Sequence, residues 1–280
     1  DLFLELKDSE GRIIEVVKEE IGFREVEIKE GAILVNGQDV IFNGANRHSW
    51  HPEFGRTVPY EYIEQDIKLM KKFNINNVRT SHYCPEPEFL DLCDKYGIYV
   101  VDEATQEATP HRLSRDPAWK KAFVERARSM VLRDRHHPCV VFWSAGNEGG
   151  NGQNVAAMIE AGKKLDPTRP WMYGHMGVDW NAAFKDIIGP RYGMRGRGSL
   201  EDLGKSPGRP SYMDEYSNGR GNSQEGIIKK ATLFRKYRRL NGGAIWDWIN
   251  QGVKKQSADG KTYYEIKLYS IPLNGLLFST

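Results

Sequence analysis

From about residue 41 the chain changes rhythm: short apolar segments alternate with stretches of helical periodicity. This alternation narrows the choice of fold more than any other feature. "FNGANRH", "NNVRTSHY", "IYVVDEA", "CVVFWSAGNE", "PWMYGH", "DIIGPRY", "PSYMDEYS" and "GGAIWDWINQ" read as strands, and residues 60–73, 87–96, 117–134, 153–165 and 226–239 as helices among them. Strands joined through crossover helices run parallel in one sheet. Eight such segments favour a closed (β/α)8 TIM barrel over an open sheet, and 280 residues suit a barrel, which typically takes ~250.

Ahead of the alternation, "DLFLELKDSEGRIIEVV" reads as two strands around a turn at residues 8–11, and "EVEIKEGAILVNGQDV" carries turn signals at Glu30-Gly31 and Asn36-Gly37. A lone hairpin is marginal in water. The first hairpin is therefore expected to belong to a larger sheet, with the true amino terminus lying upstream.

Charge points to no macromolecular partner: 40 basic and 38 acidic residues leave a net +2, without the excess that nucleic acid or an anionic membrane calls for. No apolar run reaches the ~18 residues of a membrane span, and no charged-then-apolar leader opens the chain. The three cysteines, Cys84, Cys93 and Cys139, are too few for a disulfide framework and match no zinc spacing, so they read as free thiols. Seven Trp and thirteen Tyr serve a core first, although a flat ring also covers the apolar face of a sugar.

Polar residues gather at the carboxyl ends of the strands: Asn46, Arg47 and His48; Arg79 and His82; Asp102, Glu103 and Glu107; Asn147 and Glu148; His175; Tyr192; Asp214 and Glu215; Asp247 and Gln251. In a barrel these ends converge on one mouth, the usual place for an active site. A single glutamate at a strand end is more often a cap or salt-bridge partner than a catalyst. Two of them, Glu148 and Glu215, suit glycoside hydrolysis. In the retaining form one carboxylic acid protonates the leaving oxygen while the other carboxylate attacks the anomeric carbon, ~5–5.5 Å away. The acid needs a raised pKa, and the nucleophile needs donors such as Arg79 or Tyr192 to hold it ionised.

Six segments, "FNGANRHSWHPEFGRTV", "DIKLMKKFNINNVRTSHYCPEPEFLDLCDKYGIYVVDEA", "RDRHHPCVVFWSAGNE", "LDPTRPWMYGH", "MDEYSNGRGN" and "GGAIWDWINQG", together resemble glycoside hydrolase family 2, most closely its β-galactosidase branch. The resemblance spans nearly the whole chain. It implies that residues 1–26 end an immunoglobulin-like β-sandwich domain, that 27–280 form the catalytic barrel, and that further domains of the parent enzyme are missing. It further implies Glu148 as acid/base, Glu215 as nucleophile, and Asn147 as a ligand of the sugar 2-hydroxyl. His48 and His82 match sugar-contacting histidines, Tyr192 the tyrosine that orients the nucleophile, Trp246 a platform for the sugar face, and Asp247 a hydroxyl ligand or its support. Core packing is an equal alternative for Trp248.

The chain departs from the family's galactosidases in three places. Where they read "EANIETH" and bind magnesium through a glutamate, a histidine and the acid/base, this chain reads "EATQEATPH". Glu107 and Glu148 remain as ligands, Thr109 takes the histidine's place, and His111 stands two residues beyond, so no cofactor is required and magnesium binding is in doubt. Where they read "EYAHAMGN", this chain has "EYSNGRGN", so Asn218 replaces a histidine near the primary hydroxyl. Arg191, Arg195, Arg197 and Arg220 flank the mouth; arginine forks suit a carboxylate or sulfate, while solvated loop arginines are the favoured reading. Ser49 stands in place of a glutamate, and Asn274 matches a sodium ligand in some relatives.

The leading expectation is a retaining, exo-acting β-galactosidase-like hydrolase. A β-glucuronidase, or a hydrolase of methylated or sulfated galactose, is the alternative within the class, and a catalytically silent carbohydrate-binding barrel the alternative outside it. The expected partners are a carbohydrate and further domains of the same enzyme. Homo-oligomerisation and the compartment, bacterial cytoplasm or beyond it, stay open.

Overall fold

A computed structural model describes residues 1–174, 182–192, 198–218 and 226–265. Two hairpin units precede the barrel. Strands β1 (Leu2–Lys7) and β2 (Ile13–Glu19) pair antiparallel, with Leu2 opposite Glu19 and Leu4 opposite Val17. By this pairing Leu2, Leu4, Leu6 and Val17 share one face, and all four are 40–56 % exposed. Strands β3 (Val26–Lys29), β4 (Ala32–Val35) and β5 (Gln38–Asp39) form a second antiparallel sheet. Its two turns carry positive φ at both central residues, Glu30 (51°) with Gly31 (79°) and Asn36 (51°) with Gly37 (73°), as tight hairpins require.

Seven parallel strands follow: β6 (Phe42–Arg47), β7 (Asn77–Thr80), β8 (Tyr99–Glu103), β9 (Val140–Asn147), β10 (Trp171–Gly174), β11 (Ser211–Tyr216) and β12 (Leu240–Ile245). They are ordered β10-β9-β8-β7-β6-β12-β11. The expected strand "DIIGPRY" is no regular strand, yet it supplies the eighth stave. The amides of Asp186 and Ile187 donate to the Trp171 carbonyl, the Ile188 amide to Pro210 and the Tyr212 amide to Ile188, which ties β10 to β11 and closes the ring. Proline follows that short segment at Pro190, which limits its ladder. A last hairpin, β13 (Val253–Gln256) and β14 (Thr262–Glu265), lies beyond the barrel.

Five helices fall close to their expected places, α1 (Tyr60–Lys72), α2 (Pro87–Tyr96), α3 (Lys120–Asp134), α4 (Gln153–Leu165) and α6 (Ile227–Lys236), and one, α5 (Leu200–Lys205), was not expected. The expected helix 117–134 opens as a 3-10 turn at Pro117–Trp119, capped by the Asp116 side chain on the Ala118 amide. The expected helix 226–239 stops at Lys236, and the short α5, held by a Ser199–Asp202 capping box, gave no apolar periodicity long enough to read. In α1 the buried residues Ile63, Ile67 and Met70 fall on one helical face. Proline opens α2 and left-handed Gly97 ends it. No helix among the described residues is long and apolar enough to cross a membrane.

Two apolar layers position the site. Helices α1 to α4 pack Ile67, Phe89, Leu90, Met130 and Met158 against the outer face of the staves. Inside, Phe42, Val101, Phe142, Met172 and Tyr212 meet near the amino ends of the strands, and Ile33 and Val35 of β4 pack onto them as a floor. Phe42, Phe142 and Tyr212 contact one another edge-on. All eight residues of β9 are buried, which accounts for its continuous apolar run. Cys93 and Cys139 are buried free thiols and Cys84 is half-buried and free.

Candidate active site

Parallel register carries the polar residues to one level. Asn46 of β6 lies opposite Arg79 of β7, Glu103 of β8 opposite Ser144 of β9, and Asn147 opposite Gly174 of β10. At the centre is Arg79, wholly buried. It donates to Glu103 (2.7 Å), to Glu215 Oε1 (3.1 Å), and to the side-chain oxygens of Asn46 and Asn147 (3.0 Å each). Burial alone would push Glu103 up; Arg79, His82 and Ser144 outweigh it and bring its carboxyl down to about 2.

Glu215 is reached from three sides. Tyr192 donates its hydroxyl to Oε2 at 2.8 Å, while Arg79 and Arg191 meet Oε1 at 3.1 and 2.9 Å. Burial, the largest influence, raises this carboxyl, and the two guanidiniums and the Tyr192 hydroxyl pull the other way. Glu148, at the end of β9, is less enclosed; Arg191 Nη1 meets its Oε1 at 2.5 Å. One guanidinium therefore touches both carboxylates. The backbone is unusual at the same places: Glu148, Tyr192 and Ser217 have φ of 48°, 50° and 53°, a left-handed region that non-glycine residues enter at a cost and that concentrates at functional sites.

A wall of rings stands beside the carboxylates. His82 stacks on Trp246 with centroids 5.1 Å apart and planes 7° from parallel, and His48 meets both edge-on. His82 Nδ1 bonds Glu103 at 2.8 Å and its Nε2 lies 3.7 Å from Glu215. Burial lowers the His82 ring to about 4 and the His48 ring to about 3, so both are neutral at working pH. Asp247 accepts from Gln251 at 2.7 Å, and Asn218 is half-buried just past β11. Trp248 packs against the helical core and donates to Asp66 at 3.0 Å, which favours its core reading.

The structure thus brings Glu148, Glu215, Asn147, Tyr192, His48, His82 and Trp246 to one mouth. Arg191 corrects the favoured reading of a solvated loop residue. It is buried, with Nε 3.0 Å from Asp214 Oδ2, and it also bonds the Asn147 side chain. Asp214, beside the nucleophile candidate in sequence, anchors it. Gly174 makes the room, since a Cβ there would stand 2.6 Å from Asp214 Oδ2 and 2.8 Å from both guanidiniums. A signal existed in "GPRYG": an arginine next to the tyrosine shares the tyrosine's approach to the site. His175, Arg195, Arg197, Arg220 and Asn274 lie outside the described residues.

The side chains that the sequence suggests around a magnesium ion each meet protein partners here. Thr109 Oγ1 accepts from the Gln106 amide at 2.7 Å and donates to the Gly149 carbonyl at 3.4 Å, which commits it within the loop. Glu148 Oε1 is already met by a cation. His111 opens a 3-10 turn at His111–Ser114. Glu107 is raised to about 7 by burial and by the nearby Glu103 and Glu148 charges, opposed by Asn147. Among the described residues, the clusters that bring three ligating side chains together are Asp94–His137–Cys139 and Cys84–Asp102–Asp134, which hold neither Glu107 nor Glu148.

Comparison with known proteins decides the family. Residues 26–267 match the TIM barrel domain of glycosyl hydrolases family 2. The chain belongs to that family. It is 40 % identical over 296 residues to the β-galactosidase of Vibrio cholerae serotype O1, covering 98 % of this chain and 29 % of that protein. Against the β-galactosidase of Aeromonas hydrophila the identity is 43 % over 278 residues, covering 94 % and 27 %. The chain thus spans less than a third of the length of these relatives. The apo structure of a β-glucuronidase from Ruminococcus gnavus superposes with a TM-score of 0.75 at 20 % identity, covering 92 % of this chain and 51 % of that one, a likeness of fold alone.

Proposed function

We propose that this barrel is the catalytic domain of a retaining, exo-acting hydrolase of terminal β-D-galactosides. The observation that carries the proposal is the meeting of Glu148 and Glu215 around one guanidinium at the barrel mouth. That shared contact is compatible with the ~5–5.5 Å spacing of retaining enzymes. The β-galactosidase relatives favour galactose.

In this reading Glu215 attacks the anomeric carbon as the glycosidic bond breaks, and Glu148 gives its proton to the departing oxygen. Glu148 then takes a proton from water, which attacks the glycosyl-enzyme ester and releases Glu215. Tyr192 and Arg79 fix the direction of attack, and Asn147, its Oδ1 taken by Arg79 and Arg191, meets the 2-hydroxyl in this reading through its Nδ2 amide as donor. Trp246, backed by His82, offers a flat apolar face to the sugar. The exposed apolar face of the first hairpin supports its expected place, at residues 1–26, as the end of a β-sandwich domain of the parent enzyme.

The β-glucuronidase alternative loses Arg191 as a reader of a sugar carboxylate, because its fork is engaged by Asp214, Glu215 and Glu148. Initial rates on aryl β-galactoside and aryl β-glucuronide, with Glu215→Gln as control, test the reading. Galactoside turnover that vanishes in the control, with the β-anomer released first by NMR, supports it. Glucuronide turnover alone moves the assignment, and sugar binding without turnover supports a silent barrel.

A further inference from the structure

Arg191 is fixed from behind rather than from the loop that carries it. Its Nε and Nη2 are held by the Asp214 carboxylate, itself wholly buried on β11, at 3.0 and 2.5 Å. This leaves Nη1 aimed at Glu148 Oε1. A guanidinium held in this way is a permanent charge at any working pH and keeps one orientation. Next to Glu148, bonded to the Gly149 carbonyl, stands the loop in which Thr109 occupies the place of a ligand histidine and also accepts from Gln106. The two features are complementary: a metal ligand is missing, and a fixed cation touches the carboxylate that the metal would have touched.

We infer that Arg191 is the built-in cation of this site, a positioning residue that holds the Glu148 carboxylate in place of a magnesium ion, so that turnover is independent of divalent metal. The inference rests on the reading of Glu148 as acid/base. Magnesium demands near-ideal octahedral oxygen ligation and gives up water reluctantly. A guanidinium on the Glu148 carboxylate repels a dication and takes a lone pair of Oε1.

Two measurements on the unmodified chain test this. Calorimetric titration with magnesium chloride is expected to show no site in the micromolar range; a stoichiometric site abolished by Glu107→Gln overturns the inference. Exhaustive EDTA treatment is expected to leave kcat on an aryl β-galactoside unchanged, whereas a loss restored by magnesium overturns it. Arg191→Ala then separates positioning from a merely structural role. We expect kcat to fall about 10²–10³-fold with a smaller change in KM, and free guanidinium, but not magnesium, to restore part of it. A folded Arg191→Ala protein with unaltered kcat overturns the inference. Absence of turnover by the unmodified chain on every aryl glycoside counts against the hydrolase reading instead, and the titration still decides the metal question.

Discussion

The two ends of the barrel are built by the same strands under opposite rules. On β11 Tyr212 packs against Phe42 and Phe142 at the floor, and three residues later Glu215 faces two guanidiniums at the mouth. On β9 Phe142 belongs to the floor and Asn147 to the mouth. The floor gains by excluding water from apolar surface. The mouth holds charges out of water and is stable only because each is met by an opposite one. A residue's distance along its strand therefore decides whether its loss affects stability or chemistry.

The largest test of this contrast is at the mouth. Glu215→Gln should remove turnover below detection and leave the far-UV circular dichroism intact, and Glu148→Gln should cost about 10²–10⁴-fold on a substrate whose leaving group needs protonation. At the floor, Phe142→Ala should cost about 3–5 kcal/mol in urea unfolding while kcat per folded molecule stays close to that of the parent. A floor substitution that abolishes kcat without loss of stability would break the comparison.

Gly174→Ala probes the boundary. Its Cβ would displace Asp214, Arg191 or Arg79, so kcat should fall about 10²-fold, the cost of a shift of about an ångström. Acid should weaken the mouth first. His48 and His82 stay neutral down to about 3 and about 4, whereas in the unfolded chain they protonate near 6.5. Below 6.5 the unfolded state thus binds more protons, and each ring removes about 1.4 kcal/mol of stability per pH unit until its folded value is reached. Denaturant melts between pH 7 and 5 should show this slope, and His48→Phe should flatten it. The smallest effect is outside the barrel: Leu4→Ser on the exposed hairpin face should change stability by about 0.5 kcal/mol or less.

Much of this was legible in the sequence because the barrel repeats one physical pattern. Apolar runs of strand length and amphipathic helices follow from burial, and α1, α2 and α4 lie within a residue of expectation. The stave at 186–189 was legible as apolar but not as irregular, since its pairing is set by Trp171 and Tyr212 rather than by its own residues. The carboxylates and the histidines of the mouth carried motifs. For Arg191 the neighbouring tyrosine of "GPRYG" signalled nearness to the mouth but not burial, which depends on Asp214 and on the missing side chain of Gly174, contacts that sequence spacing does not express.

The floor has a consequence for traffic. With Ile33 and Val35 seated on Phe42, Phe142 and Tyr212, the barrel is a blind pit rather than a tunnel. In the proposed double displacement, the sugar would therefore reach Glu215 from the mouth side, and water for the second half would follow the path the first product had just left.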